Sequence, residues 1–426
     1  MRHGPENVRK FHRTTQRETP HSGLGYGAMD TTRRTILRGM AAAPAIATAG
    51  GLLLPETATA ASAQPPLYLT YKPEETAAYV AGIRWLIRQH GNRRYDARFI
   101  PLPVTGSWAF QQVPVDEVPG WPSKTPHPVR AYGWSPNDPD ANIKSRGWWP
   151  QGVTTYYDAT GLDGTRMMVS WYNKDNDKGA RVALIDRNES NPRYHYIKLV
   201  KAKRVGGGAY TAEPIEGLHA GGLAWYGNRL YVTDSEQKAL LVFNTDDIFR
   251  TGDPQAPYSM PLSRTYRANK YTRTQLRFSQ VSVDRTSLAS PFRRTTLIVS
   301  GWKKDDKPQI IGRWSFAYNS GSLLLDTGTT ARSADVYKIH RGSGLPNGFG
   351  IQGAVTVDNT MYLSVSRGKK PGAFGAAPLR QNGEGKAVEK WRVPRGPEDL
   401  SYDGRNRWMW GLGEYVGYRN VYAMRV

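Results

Sequence analysis

Five short segments start on polar residues and run into an apolar strand: Gln151 to Tyr156, Gly221 to Tyr226, Ser279 to Asp284, Gln352 to Asp358 and Glu398 to Asp403. Set in register, their first positions collect Gln151, Gly221, Ser279, Gln352 and Glu398. Two residues earlier stand Trp149, His219, Arg277, Gly350 and Gly396. If the five strands line one channel, a single mouth presents an imidazole, a guanidinium, a carboxylate, two amides and an aromatic plate. That set suits an acidic sugar. Trp149 would stack on a ring face, Arg277 would fork onto a carboxylate, and Gln151 and Gln352 would make polar contacts. His219 with Glu398 or Asp399 would supply acid–base chemistry. The plainer reading of the same groups is that they satisfy buried backbone and water in the channel.

The elements that must hold this ring are legible as repeats. Each start is followed by a second apolar strand, at Met167–Trp171, Leu230–Thr233, Leu297–Trp302, Met361–Ser366 and Trp408–Leu412. A third is expected at Val182–Ile185, Leu240–Phe243, Ile310–Phe316, Val388–Val393 and Val421–Met424, and a fourth at Tyr194–Val200 and Ser322–Leu325. Two second strands end alike, in Val169-Ser-Trp-Tyr-Asn-Lys and Val299-Ser-Gly-Trp-Lys-Lys. The starts are 70, 58, 73 and 46 residues apart. Repeats of about 40–50 residues built from four short strands specify a β-propeller, the longer spacings carrying loop insertions. The fold class expected is therefore an all-β propeller with five visible blades and room for seven. A β-sandwich is the alternative, but it has no natural place for five matching starts.

The clearest unit is Gly217 to Asn244, with strands at Leu223–Tyr226, Leu230–Val232 and Leu240–Phe243 separated by Gly227-Asn228 and Ser235–Lys238 turns. Its run His219-Ala-Gly-Gly-Leu-Ala-Trp-Tyr-Gly-Asn-Arg-Leu-Tyr-Val-Thr-Asp234 resembles the strand pairs of NHL-type and lactonase-type propellers. The whole of 147–426 resembles an actinobacterial family of exported propellers. The resemblance implies the fold and no particular chemistry.

Composition narrows the classes. The chain has 426 residues, 13 Trp, 24 Tyr and 44 Gly, an aromatic- and turn-rich profile that fits β structure. With no cysteine, disulfides, thiol catalysis and Cys-ligated zinc are excluded. Residues 1–63 hold 8 of the 58 Lys and Arg and 4 of the 36 Asp and Glu, so residues 64–426 carry 50 against 32, a net +18. Such a charge favours anionic partners, although solubility alone also accounts for it. Basic runs at Lys198–Arg204, Arg367–Lys370 and Arg392–Arg395 read as solvated loops. No H-x-x-x-H or H-E-x-x-H spacing occurs. Asn173 to Gly179 imitates a calcium loop, but its glycine comes one place late and Leu184 stands where a bidentate Glu is needed. It reads as a hairpin turn, and no cofactor is identified.

The first 63 residues read as a leader. Thr32-Arg33-Arg34-Thr35-Ile36-Leu37 with the uncharged Gly39–Pro55 behind it resembles a bacterial twin-arginine signal peptide, with small-x-small sites at Ala58–Ala60 and Ala61–Ala63. The apolar stretch is too short for a stable membrane span. Residues 64–146 are expected to hold one helix, Glu74–Gln89, then Pro-rich loops containing at most part of a blade. Residues 147–426 are the propeller. The functions that fit are an exported, monomeric lyase or hydrolase of acidic polysaccharide, or a non-catalytic binder of anionic wall or matrix polymers. A lactonase-like or redox propeller has no visible ligand set, and nucleic acid is not expected outside the cell.

Overall fold

The computed structural model describes residues 64–426 apart from 104–105, 142–146, 175–177, 189, 286–294, 303–306, 319, 347–349 and 380–382. The signal-like leader and the centre of the calcium-like stretch lie outside the described residues.

Among the described residues the strands form five four-stranded antiparallel blades. The first is Trp148–Thr155, Arg166–Asn173, Ala180–Asp186 and Arg193–Gly206. The second is Leu223–Tyr226, Arg229–Asp234, Ala239–Asn244 and Tyr258–Ala268. The third is Gln280–Asp284, Thr296–Ser300, Gln309–Ser315 and Asp335–Arg341. The fourth is Gly350–Val357, Thr360–Ser366, Pro371–Pro378 and Glu384–Arg395. The fifth takes Pro397–Asp403, Trp408–Gly413 and Asn420–Arg425 from the C-terminal region and its fourth strand, Arg130–Trp134, from the N-terminal region, with Trp108–Gln112 paired beyond it. The chain's two ends thus zip together in one sheet, and ring closure needs no exposed edge there. The propeller fold expected from the repeats is the fold observed.

Two strand assignments differ from expectation. Ser322–Leu325 is not the third blade's outer strand; Leu323 only bridges Phe316 and packs beside Trp314. The true strand, Asp335–Arg341, carries Asp335, Lys338 and Arg341 among Val336, Tyr337 and Ile339, so its charges break the apolar alternation. In the fourth blade Val388–Val393 belongs to the outer strand, and the third is the Gly- and Ala-rich Pro371–Pro378. Its small side chains look like a loop in sequence but are buried on both faces.

The helix Pro73–Gln89 packs Tyr79, Ile83, Leu86 and Ile87 against the outer strands of the first two blades. Gly82 permits the contact, since a Cβ there would lie 2.4 Å from the Ala202 Cβ. Between blades the core is aromatic: Trp171, Trp225, Trp314 and Trp410 are fully buried, and burying each such ring stabilises the fold by about 2–3 kcal/mol. No helix among the described residues is long and apolar enough to cross a membrane.

The inner strands approach one another through the second position of each start. Those positions are Gly152, Gly222, Gln280, Gly353 and Asp399. A Cβ on Gly222 would lie 2.2 Å from the Val281 nitrogen, one on Gly152 2.7 Å from the Leu223 nitrogen, and one on Gly353 2.8 Å from the Glu398 carbonyl oxygen. Only glycine fits, because neighbouring backbones occupy the space. The two non-glycine positions fill the axis. Asp399 Oδ2 accepts from the Val153 and Leu223 amides at 3.2 and 2.9 Å, and Oδ1 from the Leu400 amide at 2.9 Å. Gln280 Nε2 donates to the Ala354 carbonyl at 3.0 Å, and its Oε1 accepts from Ser300 Oγ at 2.8 Å. This layer plugs the channel and is the floor of the mouth above it.

Candidate functional site

The first positions stand one residue above that floor, and they bring two glutamates into one cluster. Glu398, 3% exposed, accepts from Gln352 Nε2 at 3.0 Å. Gln151, 1% exposed, donates from Nε2 to Glu414 Oε2 at 2.9 Å and to the Pro150 carbonyl at 2.9 Å. Each carboxyl is therefore held by an amide from a neighbouring blade. Burial pushes Glu398 well above the usual glutamate range, and the adjacent Glu414 charge adds to the rise against the opposing Gln352 hydrogen bond. Burial also raises Glu414, to about 7, with Gln151, Arg419 and Lys174 pulling the other way. A carboxylate at Glu414 opposes ionisation of Glu398. Both carboxyls are thus held above the ordinary glutamate range, with Glu414 near 7.

Aromatic rings wall the cluster. Trp149 faces Tyr172 in the strand register and meets Tyr415 edge-on at 5.9 Å. Lys174 Nζ stands 5.0 Å and the Arg419 guanidinium 5.6 Å from the Trp149 ring centre. Arg419 also donates from Nε to the Glu414 carbonyl at 3.2 Å. Tyr172 is raised above the usual phenol range, first by burial and then by the Glu414 and Glu398 charges, which places its hydroxyl in the field of both. His219 packs on Tyr172 with ring centres 4.1 Å apart. Burial alone holds its imidazole down at about 4, so it is neutral across the physiological range.

The residues singled out in sequence therefore separate. Glu398, Gln151, Gln352 and Trp149 share one cluster, and His219 borders it behind Tyr172. Arg277 is exposed on the same mouth at the entry of the third blade, beside Gly301, where it helps hold the Lys238 ammonium below its usual range after burial. It does not touch the carboxyl pair. Asp399 stands apart from them. It is fully buried, and its oxygens accept from amides of the first, second and fifth blades, which ties the inner strands together. Gln151 and Gln352 each donate to a carboxyl, of Glu414 and Glu398 respectively. His195, in the first blade's outer strand, packs on Tyr258 at 5.0 Å and is part of the wall between blades.

Sequence reasoning missed Glu414, Tyr172, Tyr415 and Arg419. The signal was present at the ends of the second strands: Tyr172 ends the first blade's and Glu414 follows the fifth's. The two described cavities lie elsewhere. One of about 350 Å³ is bordered by Asp140, Trp148, Arg181, Lys198 and Asp253, but Arg181 is paired with Asp140 at 2.7 Å and Lys198 with Asp253 at 2.6 Å. The other, about 130 Å³, lies between the helix and the second blade. Among the described residues no group of three His, Cys, Asp or Glu could hold a metal ion.

No protein-family model matches the chain, and no curated protein matches it. Among solved structures it is similar to Kuenenia stuttgartiensis hydrazine synthase, at 14% identity and TM-score 0.27, covering 62% of this chain and 61% of that one. It is similar to a GH43_1 enzyme from Xanthomonas citri, at 10% identity and TM-score 0.31, covering 66% and 89% of the two chains. It is also similar to the gluconolactonase XC5397 from Xanthomonas campestris, at 10% identity and TM-score 0.28, covering 78% and 99%. The chain thus spans about three fifths of the hydrazine synthase chain. These similarities concern fold alone, and the propeller assignment rests on the strand pairing described above.

Proposed function

We propose that this chain is an exported carbohydrate-active enzyme that hydrolyses an acidic polysaccharide at the mouth of its propeller. The observation that carries the reading is the unequal carboxyl pair Glu398 and Glu414 beneath the plates of Trp149, Tyr172 and Tyr415. Glycosidic cleavage needs one carboxylic acid to protonate the leaving oxygen and one carboxylate to activate water or attack the sugar. Environments that push two carboxyls apart assign those roles. Glu398 is assigned as the acid, because burial raises its carboxyl well above the usual range. Glu414, more exposed and opposed by Arg419 and Lys174, is the carboxylate. Gln352 and Gln151 hold the two in place. A sugar ring lies against Trp149, and Lys174 and Arg277 favour an acidic chain. His219 supports Tyr172 and, neutral at pH 7, is not the proton donor. A lyase is less well supported, since it needs one strong base and the phenol of Tyr172 is driven away from ionisation.

The test is turnover of a panel of acidic and neutral polysaccharides, read by new reducing ends and by ultraviolet absorbance of unsaturated products. The reading expects reducing ends without absorbance, with rates falling at least 100-fold in Glu398→Gln and Glu414→Gln. Silence on every substrate, together with salt-sensitive retention on anionic polymers, would instead make the protein a binder.

A further inference from the structure

The device that places Tyr172 over the site occurs a second time. Tyr172 stands three residues beyond the register pair Val153–Val169, and Trp302 stands three residues beyond the equivalent pair Val281–Val299. In the first blade the aromatic leans on the entry of the next blade, Tyr172 on His219. In the third it does the same: a Cβ on Gly350 would lie 2.1 Å from Trp302 Nε1. His219 and Gly350 hold the same place, two residues before their motifs. The third-blade aromatic is tied down by its own backbone, the Trp302 amide donating to Ser279 Oγ at 3.1 Å. Whereas the other tryptophans are buried or half-buried, Trp302 is 41% exposed. Its neighbour Gly301 packs on the backbone of Arg277, itself exposed. An exposed indole, anchored through its backbone one residue from a glycine packed on an exposed arginine, adds little to stability, yet it is what stacking on a charged sugar requires.

We propose that Trp302 and Arg277 form a second sugar subsite on the same mouth, so that the substrate is an anionic oligosaccharide chain lying across the propeller face. One ring sits at Trp149 over the carboxyl pair, and a uronate-type residue further along stacks on Trp302 with its carboxylate on Arg277. This rests on the hydrolase reading above for the position of the first ring. Gly350 supports the indole, so the subsite is built by the third and fourth blades and not by the catalytic first and fifth.

Defined oligogalacturonates of one to six residues serve as probes, with neutral xylo-oligosaccharides as controls, their affinities measured by calorimetry. Affinity for the acidic series is expected to rise with length. Trp302→Ala is expected to weaken the longest chain about tenfold while leaving mono- and disaccharide affinity unchanged. Trp302→Phe should restore most of the loss, and Arg277→Ala should remove the preference for acidic over neutral chains. Melting curves check that the variants fold. Glu398→Gln should abolish turnover and leave the length dependence intact, which separates the two proposals. Length-dependent binding lost in Trp302→Ala, with no turnover by the parent protein, would keep the subsite and discard the hydrolase. Unchanged length dependence in Trp302→Ala, or no binding of any acidic chain, would overturn the subsite.

Discussion

Replacing Asp399 by alanine removes the acceptor that three blades share. The amides of Val153, Leu223 and Leu400 donate to it at 3.2, 2.9 and 2.9 Å, and none can turn to solvent from the plugged axis. An orphaned buried donor costs about 1–3 kcal/mol, and part of the total is regained because burying the carboxyl is itself unfavourable. The net loss is therefore about 4 kcal/mol, a large part of the roughly 5–15 kcal/mol that holds a typical protein folded. Asp399→Asn keeps an oxygen for Val153 and Leu223 and turns an NH2 toward the Leu400 amide, so it should cost only about 1–2 kcal/mol. Urea unfolding followed by tryptophan fluorescence and far-ultraviolet circular dichroism measures both. If Asp399→Ala lay within about 1 kcal/mol of the parent, or matched Asp399→Asn, the shared-acceptor argument would be wrong. If Asp399→Asn stayed folded but lost all turnover, the residue would have to be returned to the catalytic set.

Asp158 is buried beneath Thr154, Thr155 and Ser401, and burial raises its carboxyl to about 6, above the usual aspartate range. The folded state thus holds a proton that the unfolded chain releases. Its contribution is fully present below about pH 4 and is lost as pH rises to about 6. Asp158→Asn should remove that decline from a plot of melting temperature against pH, a change of about 3 kcal/mol across the window. Gly222→Ala should leave little folded protein, because its Cβ meets the Val281 nitrogen at 2.2 Å, whereas Gly252→Ala, with nothing within 4 Å, should fold normally; soluble yield and melting temperature compare them.

The fold was legible because its repeats carry their own punctuation. The second unit's meander appears at Leu223–Tyr226, Arg229–Asp234 and Ala239–Asn244, within a residue or two of the apolar runs that announced it. The repeats also put the first and second ring positions in register. What sequence could not separate was the two neighbouring layers. Glu398 and Asp399 are adjacent acids, but strand alternation sends one up to the mouth and the other into the plug. Outer strands were harder, since Asp335–Arg341 mixes charge with apolar residues and Pro371–Pro378 relies on Gly and Ala. The closing strand Arg130–Trp134 was hidden among prolines, because its partner Asn420–Arg425 lies nearly 300 residues on and nothing local marks the pairing. Glu414 was missed for a related reason. It lies just beyond a strand end, and only the closed ring brings it to Gln151.

The central claim is that the mouth holds two carboxyls of unequal acidity. Carbon-13 NMR titration of protein labelled at the glutamate side-chain carboxyls, assigned through Glu398→Gln and Glu414→Gln, reads it without a substrate. The account predicts that the Glu398 resonance titrates well above the ordinary glutamate range while the Glu414 resonance titrates near 7. Both resonances moving together below about pH 5, in the range of ordinary surface glutamates, would contradict it.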